Sequence, residues 1–318
     1  MRTATLLELA ATHGVRLPAA LTGATPPALS TADERGWFRF QRLYDIARSV
    51  IRTPADVRRV VFEAAADDAA DGSRWLELQI DPSGYHGFGG ITAFLELVLD
   101  AANAASRRTG VGIGIVVAAN RTRHPLDART LARLAARYAD RGVVGFGLTN
   151  DERRGSALDF VPAFRIARDA GLLAVPHGGE LLGAISVFEC VEGLRAHRVG
   201  HGVRAVEEPR LLGRMAELGI VCEVCPASNV SLGVVRAPDR VPLRTLRSAG
   251  VGVALSADDP LLFGSRLAEQ YETARHVHGF SDAELADLAR CSIEGSAAPS
   301  DLKKSLLGGV DRWLATSW

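Results

Sequence analysis

Three polar groups stand at the ends of apolar runs in this 318-residue chain. His177 closes the run LLAVPH, His201 closes HRVGH, and Asp258 and Asp259 follow VGVALSA. A histidine and an aspartate brought together can ligate a divalent metal such as zinc and leave a position for water. A further carboxylate close by can move a proton to a leaving group, and Glu180 follows His177 by one helical turn's worth of chain. Each residue also has an ordinary reading. A strand-end histidine can be a hydrogen-bonded structural residue, H-x-x-E recurs by chance, and Asp-Asp-Pro commonly starts a helix with aspartate at the N-cap. The combination of polar strand ends in successive units, flanked by glycines that let a ligand approach the backbone, favours chemistry.

What must position these groups is a repeated unit of a short apolar strand and an amphipathic helix. Strands are predicted at 75–81, 112–118, 143–149, 172–177, 197–201, 220–225 and 252–256. Several are almost continuously apolar, as parallel strands buried on both faces should be. Helices are predicted at 91–108, 127–140, 157–170, 185–195, 209–218 and 242–249. Gly142, Gly171, Gly219 and Gly250 sit just past four of them, where left-handed caps belong. Alternation of this kind gives an α/β protein with a parallel sheet and right-handed crossovers. The expectation is one domain over 1–318, a (β/α)8 TIM-type barrel in which catalytic groups gather at the C-terminal strand ends. Only seven strand–helix units are found, and the chain begins directly in a helix at 3–12, so strand 1 is missing from this sequence. The stretch 18–44 carries turn signals and then Trp37, Phe38, Phe40 and Tyr44, and reads as a helical excursion over one mouth.

Composition narrows the class of partner. Lys plus Arg and Asp plus Glu both total 37, so no global field favours nucleic acid or an anionic membrane, and a small molecule is expected. No apolar run approaches the roughly 20 residues that span a bilayer. MRTATLLELAATHG reads as an amphipathic helix and not as a signal peptide. Four cysteines are too few for a disulfide framework, so a reducing cytoplasm is the default. Cys222 and Cys225 lie in the apolar segment IVCEVC, where their spacing puts them on opposite faces of a strand; a structural role is expected of both. The cytidine-deaminase zinc signature, H-x-E with P-C-x-x-C, is not met. The alternating glycines at 110–114 lack a G-x-G-x-x-G turn, which argues against a dinucleotide site. His124, His276 and His278 are expected to be solvated, and Arg121 and Arg123 to stay clear of substrate.

The succession HGGE (177–180), GHG (200–202) and SADDP (256–260) resembles the HAGE, GHG and TDDP signatures of the adenosine deaminase family. The similarity runs through nearly the whole chain. GFGLTNDE (145–152) resembles the family's G-(D/E) turn, and CPASN (225–229) its CPxSN segment. The resemblance implies one zinc ion per subunit bound by His177 and Asp258, and a Glu180 that donates a proton to a purine ring nitrogen. It further implies that His201 orients the attacking hydroxide and that Asp259 hydrogen-bonds the purine, with Asn150 and Gly178 at the substrate. The implied reaction is hydrolytic deamination of adenosine or a related 6-aminopurine to the 6-oxopurine and ammonia, in purine salvage. Its chemistry is coherent: a metal lowers the pKa of water from about 15.7 towards 7, and protonating the ring nitrogen opens the aromatic carbon to attack.

The resemblance also implies two further zinc-binding histidines in an H-x-H motif at the end of strand 1. The only histidine before residue 80 is His13, inside a helix. The absent motif and the absent strand are thus one absence. Three explanations stay open: a start roughly 15–20 residues upstream, room for a strand of about 5–6 residues and its turn; a metal-poor relative with impaired catalysis; or a protein that binds a purine nucleoside or base without turnover. Exposed edges at 75–81 and 252–256 predict poor expression or self-association.

Overall fold

Segments rich in apolar residues become the seven strands of the computed structural model, which describes residues 1–23, 29 and 34–316. The strands are β1 (Trp75–Ile80), β2 (Gly112–Asn120), β3 (Val143–Thr149), β4 (Leu173–Gly178), β5 (Arg198–His201), β6 (Val221–Val224) and β7 (Gly252–Leu255). Each pairs in parallel with the next, giving the sheet order β1 to β7. Helices α1 (Thr3–His13), α2 (Glu34–Arg48) and α3 (Pro54–Ala70) precede β1. Crossovers are made by α4 (Ile91–Thr109), α5 (Pro125–Arg137), α6 (Val161–Asp169), α7 (Ala184–Phe188), α8 (Pro209–Glu217), and α9 (Pro226–Ser231) with α10 (Leu243–Ser248). After β7 come α11 (Pro260–Phe263), α12 (Leu267–His276), α13 (Asp282–Gly295) and α14 (Ser300–Ala315).

The α/β class and the strand-by-strand reading hold, and the four glycines expected past helix ends all have positive φ. As in the count of seven, β1 and β7 are the two ends of the sheet among the described residues. The core lies between sheet and helices: Ile115 and Val117 of β2, Phe146 and Leu148 of β3 and the stripe Leu95, Val98 and Ala102 of α4 are buried. Full burial of such a side chain contributes about 1.5–3 kcal/mol. One boundary differs in a way that matters below. β6 ends at Val224, so Cys225 lies outside it, at the N-cap of α9 with Pro226 in the first turn.

A second apolar cluster joins Leu6 and Leu9 of α1, Trp37 and Phe40 of α2, and Leu262 and Phe263 of α11. Phe40 stacks on Phe263 at 6.0 Å between centroids and meets Trp37 at 5.1 Å. The aromatic excursion thus packs on the short helix that follows Asp258–Asp259, as its sequence suggested, although residues 24–28 and 30–33 of that stretch lie outside the described residues. A charged group ties the sheet together from inside. Arg198, at the start of β5, donates to Glu223 of β6 at 2.7 Å and to the Gly295 carbonyl at 2.7 Å, and pairs with Glu77 of β1. Glu77 also accepts from Trp75 Nε1 at 2.9 Å and from the Ala297 amide at 2.6 Å.

Candidate active site

Parallel register brings the expected residues together. His177 on β4 is aligned with Gly200, and Gly178 with His201 on β5. The two imidazoles lie 5.1 Å apart between centroids, tilted by 64°. Gly200 is what permits this, since a Cβ there would stand 2.8 Å from His177 Nδ1. Backbone strain marks the same place. Only Asn150, Arg195, His201 and Asp258 have positive φ among the described non-glycine residues, and three of these four are expected site residues. Each such residue costs of order 1–3 kcal/mol, and such conformations concentrate where function requires them.

Glu180 is buried, and its carboxyl is pushed up to about 7, first by burial and then by Asp258, Glu152 and Asp151, while His201 pulls it down. Near neutrality it is therefore poised between acid and base forms, which suits a proton donor. His201 is also buried, with Nε2 at 3.6 Å from Glu180 Oε1. Burial works against its cation, but Glu180 and Asp258 outweigh it, and its pKa is raised. His177 behaves oppositely. Burial, then the neighbouring His201 and Arg121, hold it well below the usual imidazole range, so it is neutral. Its buried Nδ1 has no hydrogen-bond partner among the described residues.

The donor atoms of His201, Cys225 and Asp258, the last an expected ligand, all lie within 4.8 Å of one another. His177 stands beside this group without belonging to it. Cys225 was expected to be a packing residue of a strand; it is buried, but beyond the strand end, and its thiol faces this cluster. Burial, then Asp258 and Glu223, push that thiol well above its ordinary pKa. Asn229, four residues on, is fully buried and its Nδ2 lies 3.2 Å from His201 Nδ1. As oriented the amide donates to Nδ1, and turned over it would accept from a protonated Nδ1. The segment CPASN, legible in the sequence as a family-like motif, thus brings two side chains to this group, and Pro226 signals that the strand stops before it. Nitrogen, thiol and carboxylate donors at this spacing, next to a neutral unpartnered imidazole, fit a zinc ion.

The remaining expected residues lie around this group. Asp259 is half-buried, and its carboxyl is pushed up to about 7 by burial and by Asp258, with the Met1 amino group pulling the other way. Asn150 caps the following turn, accepting from the Asp151 amide at 2.8 Å, and donates to Gln41 of α2 at 3.3 Å. Gly178 is buried, and its carbonyl accepts from the Gly202 amide at 3.0 Å; a Cβ there would meet Cys190 Sγ at 2.9 Å, so close packing alone demands glycine. Of the histidines expected to be solvated, His276 and His124 are exposed, His124 also capping α5 by accepting from the Leu126 amide at 3.1 Å, whereas His278 is half-buried.

Comparison with known proteins bears on the chemistry. The adenosine deaminase family model matches residues 1–313. A Streptomyces virginiae protein provisionally named adenosine/adenine deaminase is 64% identical over 315 residues, covering 99% of this chain and 93% of that one. An adenine deaminase of Rhizobium leguminosarum bv. trifolii is 36% identical over 312 residues, covering 92% of this chain and 97% of that one. The crystal structure of an adenine deaminase from Arthrobacter aurescens superposes with a TM-score of 0.89 at 26% identity, covering 99% of this chain and 95% of that one.

Proposed function

The chain belongs to the adenosine deaminase family, hydrolases of carbon–nitrogen bonds, and from that premise we propose that it removes the 6-amino group of adenine or an adenine nucleoside in a zinc-dependent reaction. The observation that carries this reading is Glu180: a buried carboxyl brought to about 7 and set 3.6 Å from His201 Nε2. In the proposed roles His177 and Asp258 hold the zinc, and the Cys225 thiol is a third donor within reach. When bound, zinc lowers the pKa of the attacking water towards neutrality.

The chain's own residues do the rest. Protonated Glu180 donates its proton to a ring nitrogen, which draws electron density from the carbon that bears the amino group. His201, held through Nδ1 by Asn229 and charged more readily than a free imidazole, orients the nucleophile and steadies developing negative charge. Asp259, with its raised pKa, offers a hydrogen bond to the purine, and the strained backbone at Asn150 borders the substrate. The burial of Glu180 keeps bulk water from the acid. Adenine is the first substrate to test, because relatives at 36% and 26% identity carry that name.

The test is ammonia release from adenine and from adenosine by zinc-loaded protein, with Glu180→Gln beside it. The variant is expected to lose about 10²–10⁴-fold in kcat, the usual worth of a positioned acid. Absence of product from both substrates overturns the reading. Purine binding by calorimetry without turnover would favour a metal-poor relative that binds and does not react.

A further inference from the structure

Glu180 stands on a segment with no regular structure to hold it. β4 ends at Gly178 and α7 begins only at Ala184. Two charged side chains from the neighbouring strand ends grip this stretch by its backbone. Glu152, in the turn after β3, is 2% exposed, and its two carboxylate oxygens accept the amides of Glu180 at 3.1 Å and Leu182 at 2.8 Å. Arg121, the first residue after β2, is equally buried and donates to the His177 carbonyl at 2.6 Å and the Gly155 carbonyl at 3.2 Å. The Cys190 thiol donates to that same His177 carbonyl at 3.4 Å. The grip falls on the backbone and leaves the side chains of His177 and Glu180 free for chemistry.

A buried polar side chain is costly unless it is hydrogen-bonded, and Glu152 and Arg121 both direct hydrogen bonds to peptide groups. The turn that bears Glu152 is itself fixed. Glu189 accepts from Ser156 Oγ at 2.8 Å and from the Ala157 amide at 2.9 Å, and Arg153 Nε pairs with Asp151 at 2.8 Å. The anchor is therefore rigid before it reaches the segment it holds.

We propose that Glu152 is a positioning residue for the acid Glu180, fixing the 179–183 segment through its two backbone amides, with Arg121 holding the same segment at His177. This rests on the acid role given above to Glu180. Charge-assisted bonds of this kind are roughly twice as strong as neutral ones. A displacement of about 1 Å at a catalytic group costs on the order of 10²-fold in rate.

Glu152→Gln tests it. A carboxamide keeps the shape but offers one acceptor oxygen, so one of the two amides meets an NH₂ group instead. The expected result is a kcat lowered about 10- to 100-fold per zinc-loaded site, with KM changed less than about threefold and zinc content unchanged. Hydrogen exchange at the Glu180 and Leu182 amides should quicken by about tenfold or more while β4 keeps its protection. A merely structural role would reduce the yield of folded protein and leave kcat per folded site intact. A kcat within about twofold of wild type, or undiminished protection at both amides, overturns the proposal. Glu152→Asp, which keeps the charge and shortens the reach, is read in the same two ways should the first variant fail to fold. Exchange needs no turnover, so a wild-type protein that deaminates nothing overturns the proposed function, while the two amides still decide whether Glu152 holds the segment.

Discussion

A carboxyl made useful by burial is also a liability to the fold. Glu180 rises from 4.5 to about 7 chiefly because burial disfavours its charge. The folded protein therefore binds this proton more tightly than the unfolded chain does. The stability that the neutral carboxyl contributes is fully present below the unfolded value and is lost as pH climbs through the folded one. A rise from 4.5 to about 7 corresponds to about 3 kcal/mol at pH 8. Glu180→Gln removes the titration. The metal-free variant should be more stable than metal-free wild type at pH 8 and nearly equal to it at pH 4.5, as read from denaturant midpoints. Equal midpoints at pH 8 would mean that the charge is not buried. At this scale the sequence was legible where residue type itself signals chemistry, as with His177, Glu180, His201, Asp258 and Asp259. Cys225 was placed inside the strand because alternation was carried one residue past the true strand end, where Pro226 turns the chain into α9. Asn229 and Glu152 fell inside the motifs CPASN and GFGLTNDE but were given no role, because an amide or carboxylate that orients its neighbours looks in sequence like any surface polar residue.

Strands were the most legible elements, since burial on both faces forces a composition that little else needs. The irregular segments between them were not, because their conformations are set by distant groups such as Glu152 and Arg121. The cover over the mouth lies between these cases. Its aromatic residues announced a packed helix, but not the partner, which is α11. Phe40 is 8% exposed and stacks on Phe263, four residues after Asp259. Phe40→Ala should cost about 3 kcal/mol by cavity formation, seen as a lower denaturant midpoint. Because Phe263 follows Asp259, proposed above to hydrogen-bond the purine, and does not adjoin the proposed acid in sequence, KM should rise more than kcat falls. An unchanged KM beside the lost stability would separate α2 from substrate binding.

At the scale of the whole molecule, the seven strands form a sheet with β1 and β7 at its ends, and the strand count in the sequence foretold that much. How the two ends are related was not legible, because it depends on pairs far apart in the chain. Arg198 on β5 reaches Glu77 on β1 and Glu223 on β6, while Arg266, ahead of α12, pairs at 2.6 Å with Asp67 of α3. The first group is interior: the side chains of Arg198, Glu77 and Glu223 are 5%, 13% and 27% exposed. Desolvating three charges is unfavourable in itself, so the group is worth most as a completed set. Removing the cation alone, with Arg198→Met, strands two carboxylates and should cost about 3–5 kcal/mol. Neutralising those carboxylates as well, in the triple variant with Glu77→Gln and Glu223→Gln, should restore much of that loss. Added salt should shift the wild-type midpoint little, since buried pairs are poorly screened. Denaturant midpoints of wild type, single and triple variants decide it. A triple variant no more stable than Arg198→Met would mean that the guanidinium acts by filling space between β1 and β5, and that its charge is incidental to how the sheet is held.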